Sequence, residues 1–199
     1  MSTTFNREEL SFIQRTDWFE QKNAASGKTT ELLHRAAQHL KSHIHPPLQA
    51  TSFKVSKGEN YKGFPYFVLD IPKIASKENM ATFRTIIWWG HDITFHIILG
   101  EAALSALKDT ISSNLTRLQR EEDIYYNATD DIWNHDMDDR IAYKPVKELT
   151  EQELQTMKEL KFSKRFPLEA INALDYHAAH SATLFQKILT DQAPIFSFN

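Results

Sequence analysis

The sequence predicts an α+β fold, with an antiparallel four-stranded meander over about residues 52–99 and helices before and after it that pack on the sheet. Apolar residues recur every three or four positions near both ends of the chain, which is typical of helices, while the middle is rich in β-branched and aromatic residues. The 199 residues are 41% hydrophobic and 25% charged, a globular composition, and the length suits a single domain spanning 1–199.

Two helices are predicted before the sheet. Asn6 and Glu9 have capping-box spacing, and the apolar residues that follow predict a helix through about Gln21. A loop is predicted at Asn23–Gly27. The second helix should run over Thr30–Ser42, where leucines and alanines form one stripe, and the two prolines that follow should end it.

The predicted strands lie at Ser52–Ser56, Phe64–Ile71 and in a hairpin within Ile86–Leu99, with a turn at Lys57–Asn60 and the hairpin joined at Gly90. A strand that is wetted on one face alternates apolar and polar residues, but this hairpin is apolar on both faces. We therefore expect both faces of the sheet to be covered.

The spacing of apolar residues changes at Glu101. From there, leucines and isoleucines recur every three or four positions and predict a helix of about 18 residues against the sheet. The segment Glu121–Lys147 is acidic, aromatic and aperiodic, and it predicts a long ordered loop with a short strand at Ile141–Pro145. Loops of this length are uncommon unless they serve a site or an interface.

The C-terminal part predicts two further helices. Thr150 and Glu153 form a capping box for a short helix to about Leu160, and Pro167 suits the first turn of a final helix. The apolar tail APIFSFN is expected to dock on the body of the protein.

Composition and missing motifs exclude several classes of protein. The chain contains no cysteine, and no apolar run reaches membrane-spanning length. The net charge is −3 with dispersed lysines and arginines, which argues against nucleic acid as a partner. The signatures of serine hydrolases, kinases, zincins and Rossmann folds are missing, and no family resemblance is evident. We expect a cytoplasmic protein without membrane contact, cofactor or metal.

A polar line on the hairpin supplies the first candidate site. Asp92, Thr94 and His96 share one face of a strand, bordered by Trp89 and other apolar residues if the turn consists of two residues. Successive residues of a strand point to opposite faces, so either Trp88 or Trp89 lies on the second face of the sheet, opposite the helix from Glu101. The predicted ligand-binding residues are Trp88, Trp89, Asp92, Thr94 and His96 of the hairpin, with Trp133 and His135 of the long loop.

Three functions are compatible with a covered second face. The leading hypothesis is a protein without catalysis that acts through a homodimer or a protein partner on this aromatic face. The first alternative is a small-molecule binding domain that uses the same face. The second alternative is a metal-assisted or acid–base enzyme, with His135, Asp136 and Asp138 completed by His91 or His96.

Overall fold

The computed structural model describes residues 3–46, 48, 52–77 and 79–190. The helices are α1 (Arg7–Ile13), α2 (Thr16–Leu40), α3 (Glu101–Leu118), α4 (Glu151–Thr156) and α5 (Leu174–Leu189). The strands are β1 (Lys54–Tyr61), β2 (Phe64–Ile71), β3 (Ala81–Trp88), β4 (Asp92–Leu99), β5 (Ile124–Asn127), β6 (Tyr143–Pro145) and β7 (Leu160–Pro167). The predicted docking of the C-terminal tail lies outside the described residues.

The α+β class and the antiparallel sheet are confirmed, but the sheet has seven strands within the described residues and not four. Its order is β1-β2-β3-β4-β7-β5-β6, and every pairing is antiparallel. The predicted meander forms one half of the sheet. The other half is added because β7 pairs along the whole of β4, whose free edge would otherwise leave backbone groups without partners.

One face of the sheet carries the main hydrophobic core. Alternate residues of β2, β3 and β4, including Phe67, Phe83 and Phe95, are buried beneath α2, α3 and α5. The prediction that the helix from Glu101 and the final helix cover the sheet is confirmed, and α2 lies on the same face. No helix of the described ranges has the length and apolar character needed to cross a membrane.

Several predicted boundaries were wrong. The loop predicted at Asn23–Gly27 lies inside α2, which is continuous because buried Ser26 and Thr29 face the body of the protein. The turn predicted at Lys57–Asn60 lies within β1, and the reversal falls at Lys62 and Gly63, which both adopt positive φ. Both capping boxes are confirmed.

The C-terminal half differs most from prediction. Residues predicted to end a helix at Leu160 begin β7. Pro167 ends this strand and is the N-cap of a 3₁₀ helix, Leu168–Ala173, that leads into α5. The final helix begins at Leu174, and its predicted apolar stripe is buried. The short strand predicted at Ile141–Pro145 is confirmed over Tyr143–Pro145.

The hairpin turn has three residues and not two. Trp88 is paired with Asp92, and Gly90 adopts φ +78° between them, a conformation that glycine tolerates best. Because of the extra residue, Trp88 and not Trp89 shares a face with Asp92. Trp89 packs on Phe67 on the helix-covered side, with ring centroids 5.2 Å apart.

Candidate functional site

The second face of the sheet is covered by residues 128–142, which connect β5 to β6 and are called here the covering loop. Its backbone is tied to the sheet by side chains of three strands: Tyr61 accepts from the His135 amide at 3.0 Å, Tyr143 donates to the Asn134 carbonyl at 2.7 Å, and Lys161 donates to the same carbonyl at 2.7 Å. The long segment predicted to serve a site therefore closes over the hairpin.

Two ion pairs fasten the covering loop at its rim. Lys62, in the β1–β2 turn, contacts Asp136 at 2.5 Å, and Arg165 of β7 contacts Asp138 at 2.6 Å. Lys62 and Asp138 are largely exposed, so each pair contributes little to stability. Their geometry nevertheless places Asp136 against the β1–β2 turn and Asp138 against β7.

Between the loop and the sheet lies a cavity of about 310 Å³, called here the aromatic cavity. Valine and isoleucine of the central strands form its floor, and four aromatic rings form its walls. The lining residues are Ser56, Tyr61, Tyr66, Val68, Arg84, Ile86, Trp88, Asp92, Thr94, Trp133 and His135.

Three of the aromatic walls hold each other in place. Tyr61 lies edge-on to Trp88 and to Tyr66, with centroid separations of 5.0 and 5.9 Å. The indole nitrogen of Trp88 donates to the Tyr61 carbonyl at 3.2 Å, and His91 stacks on the indole at 3.5 Å. The wall around Trp88 is therefore fixed by contacts that do not require a ligand.

Arg84 lies at the other end of the cavity, and its charge is neutralised within the protein. The guanidinium donates two hydrogen bonds to Asp70, at 2.6 and 3.0 Å, in a buried bidentate pair. Trp133 lies over the guanidinium, 4.8 Å from the ring centroid. The cationic end of the cavity is thus a paired and stacked group.

Asp92 is the one acidic side chain among the residues that line the aromatic cavity. The residue is only 8% exposed, and its Oδ1 has no hydrogen-bond partner among the residues that the structure describes. Its Oδ2 lies 3.7 Å from Arg165, which is an ion-pair distance but too long for a hydrogen bond. Burial raises the pKa of Asp92 to about 6, against the opposing effect of Arg165. Asp92 also lines a second cavity of about 340 Å³, together with His91, Asp138 and Arg165.

His135 connects the cavity to a buried polar cluster. Its Nε2 lies 3.3 Å from Arg84 and its Nδ1 lies 2.8 Å from the amine of Lys161. An arginine can only donate, so Nε2 accepts and Nδ1 carries the proton. Lys161 then accepts from Nδ1 and donates to the carbonyls of Ile132 and Asn134, which is the pattern of a neutral amine.

The electrostatics of this cluster agree with neutral groups. Burial, and then the charge of Arg84, hold the pKa of Lys161 well below its usual range. Burial is also the main cause that lowers the pKa values of His135 and His96. Among the described residues, no carboxylate is hydrogen-bonded to either imidazole.

His96 lies under the covering loop, with its ring centroid 5.4 Å from that of His135. It is fully buried, and it contacts Ser163 through Nδ1 at 2.7 Å and Thr94 through Nε2 at 2.9 Å. Both nitrogens therefore have protein partners. His96 supports the floor of the site and is not among the residues that line the cavity.

The structure brings together most of the residues predicted from the sequence. Those that line the cavity are Trp88, Asp92, Thr94, Trp133 and His135; His96 lies beneath them, and Trp89 lies on the opposite face of the sheet. Sequence reasoning missed Tyr61, Tyr66, Arg84 and Lys161. The lone arginine in the otherwise uncharged strand ATFRTIIW is a signal that could have identified Arg84, whereas Lys161 is one of three cations in its strand and gives no such signal.

The acidic residues of the covering loop do not converge with histidines on a common point. Asp136 and Asp138 are paired with Lys62 and Arg165, and Asp139 accepts from Asn134 at 2.9 Å. Within the ranges that the structure describes, no group of three or more histidine, aspartate or glutamate side chains is placed to hold a metal ion.

Comparison with known proteins assigns the chain to no family. No protein-family model matches the sequence, no curated protein is significantly similar to it, and no solved structure matches the fold significantly.

Proposed function

We propose that this protein binds a small organic molecule in the aromatic cavity. The observation that carries the proposal is a cavity of about 310 Å³ with four aromatic walls, an aliphatic floor and a few polar groups at its ends. Small-molecule sites are typically built in this way, and this volume is at the lower end of their range. The ligand should accordingly be a single ring or a fused pair of rings.

The construction of the cavity favours binding over catalysis. A general base needs a free lone pair within reach of the substrate, but both nitrogens of His135 and both nitrogens of His96 already have protein partners. Asp92 is the one lining side chain with an unpartnered buried oxygen. A single free carboxyl beside aromatic walls is better suited to recognise a ligand than to move protons between two groups.

A homodimer or protein partner on the aromatic face stays a prediction. It assumes that this face needs a cover from another molecule, and the covering loop already supplies one. Trp88 is buried under this chain's own residues, and Trp89 packs on Phe67. Sedimentation equilibrium of the intact chain at several concentrations tests association directly. A dimer that dissociates when Trp88 is replaced would favour the partner hypothesis over ligand binding.

The indole groups provide the test of the proposed function. The chain has four tryptophans, of which Trp88 and Trp133 line the cavity, whereas Trp18 lies beside Phe12 and Phe19 and Trp89 lies on the helix-covered face. In NMR spectra of the ¹⁵N-labelled protein with a library of ring-containing fragments, bound fragments should shift the indole signals of Trp88 and Trp133. The signals of Trp18 and Trp89 serve as internal controls.

The result that would refute the proposal is equally defined. If no fragment at about 10 mM shifts the cavity indoles, the cavity does not bind small molecules, because fragments of this size bind in a formed pocket with Kd values of about 1 mM. Equal shifts of all four indoles would indicate nonspecific binding and would also contradict it.

A further inference from the structure

We infer that the ligand of the aromatic cavity is an organic cation, an ammonium or amidinium group carried on a small ring, and that Asp92 binds its charge. This inference rests on the proposed function and adds the chemical class of the ligand. It is carried by three features of the cavity: a buried carboxyl with one unpartnered oxygen, surrounding aromatic rings and an arginine whose charge is neutralised elsewhere.

The carboxyl of Asp92 is buried without the hydrogen bonds that a buried carboxylate requires. Within the part of the chain that the structure describes, its Oδ1 has no partner, and its Oδ2 lies 3.7 Å from Arg165. Buried charges are normally paired and hydrogen-bonded, so a lone carboxyl in the wall of a cavity indicates a missing donor. Rotation about χ2 of an aspartate is soft, and it can turn either oxygen towards a ligand.

The rings near Asp92 add a second attraction for a cation. Asp92 is paired with Trp88 across the hairpin, and Trp88 is paired with Tyr66 on the next strand. The faces of these rings carry negative potential and attract ammonium and guanidinium-like groups, most strongly when the cation is desolvated. The combination of aromatic walls and one carboxylate is suited to a cation with an apolar body.

Arg84 does not oppose this assignment. Its guanidinium is bound to Asp70 by two hydrogen bonds, and its backbone partner on β4 is His96. Asp92 and His96 are four residues apart on one strand, which is about 13 Å. The arginine therefore lies at the opposite end of the cavity from Asp92, where it can accept the apolar or polar far end of the ligand.

Four charged or titratable groups face Asp92 from the elements around it. They are Arg165 of β7, His91 of the hairpin turn, and Asp136 and Asp138 of the covering loop. Arg165 is held by Asp138 at 2.6 Å, and Asp136 is held by Lys62. The charges cancel within each of these two pairs, and Arg165 lies closer to Asp138 than to Asp92, so the carboxyl of Asp92 stays available to a cationic ligand.

Three isosteric probes separate the charge of the ligand from its shape. Benzamidine, benzamide and benzoate share one planar body and carry charges of +1, 0 and −1. At pH 8 we expect benzamidine to bind about tenfold more tightly than the other two, with shifts of the Trp88 indole signal. At pH 5 its affinity should fall about tenfold, because the pKa of Asp92 is about 6 and protonation removes the anion.

The variant Asp92→Asn tests the residue itself. It should abolish the preference for benzamidine and its pH dependence, while the affinity for benzamide changes less than about threefold. Asp109→Asn is the matched control, since it removes the same charge from an exposed position on α3. A pH dependence that persists in Asp92→Asn would assign the effect to another group and overturn the inference.

The outcomes distinguish the inference from the proposed function. If benzoate or benzamide shifts the cavity indoles at least as strongly as benzamidine, the assignment of a cation is wrong and small-molecule binding stands. If neither these probes nor the fragment library shifts the cavity indoles, the proposed function fails and the inference fails with it. Thermal unfolding of Asp92→Asn in parallel shows that the variant is folded.

Discussion

Asp92 should lower the stability of the unliganded protein, so replacing it with asparagine should raise stability in a pH-dependent way. The residue is 8% exposed, and burial raises the pKa of its carboxyl from 3.8 to about 6. A carboxyl whose folded-state pKa lies above its unfolded value favours folding below the unfolded pKa. That contribution is lost as the pH rises through the folded pKa.

The magnitude follows from the size of the shift. A rise of the pKa from 3.8 to about 6 destabilises the folded state by about 3 kcal/mol at a pH above both values, and by about 0.5 kcal/mol at pH 4. The free energy of unfolding of Asp92→Asn relative to the original chain should therefore increase by up to about 3 kcal/mol between pH 4 and pH 8. For a chain of this length, the melting temperature at pH 8 should rise by about 6–12 °C.

Urea unfolding followed by circular dichroism at pH 4, 6 and 8 measures this difference, provided that the m-value is unchanged. Asp109→Asn on the exposed side of α3 is the control and should show no such pH dependence. A stability difference that is the same at all three pH values, or a destabilised variant at pH 8, would refute the reasoning that Asp92 is buried without a sufficient partner.

Further predictions concern the buried amine, the cavity wall, the core and the first helix. The free energy of unfolding should rise from pH 8 to pH 10, because Lys161 binds a proton in the unfolded chain but not as the buried amine. In Lys161→Met this rise with pH should disappear. The same rise in the variant, measured by urea titration, would contradict the prediction. Trp133→Ala should weaken benzamidine binding about tenfold by NMR titration with little loss of stability, whereas Trp18→Ala should leave binding unchanged. Phe95→Ala should cost about 3–5 kcal/mol in urea unfolding, since Phe95 is fully buried beneath the helices. Deleting residues 1–14 should change the melting temperature by less than about 2 °C, because α1 contributes no buried residue. A larger decrease of the melting temperature, measured by calorimetry, would show that α1 packs on the rest of the protein.

The parts of the fold that depend on local patterns could be predicted from the sequence. Each capping box, at Asn6 and at Thr150, involves residues only three positions apart in the sequence. The buried stripe of α3 is visible as apolar residues that recur every three or four positions. The strand β7 could also have been found, because Leu160, Phe162 and Phe166 alternate with polar residues. This alternation was missed because the preceding capping box predicted a helix up to Leu160.

Which tryptophan faces the cavity depends on a single residue of the hairpin turn. The residues Gly90 and His91 allow a turn of two or three residues, and the longer turn exchanges Trp89 for Trp88 on the face of Asp92. Backbone conformation at Gly90 is set by the pairing of β3 with β4 and by the packing of Phe64 near its α-carbon. Local sequence does not specify that choice.

The cavity itself depends on contacts between distant segments, and for this reason composition and motifs gave only part of it. Trp133 is positioned by stacking on Arg84, and Arg84 is positioned by Asp70 of the neighbouring strand. The loop that carries Trp133 is held through its carbonyls by Lys161, which the sequence places 28 positions later and which lies in a strand on the far side of β4. Each wall thus requires the seven-stranded order of the sheet. A cavity built in this way opens when either the buried amine or the paired arginine loses its partner. Substitution of Lys161 or Arg84 should therefore change the affinity for a ligand without changing the preference for a particular ligand charge.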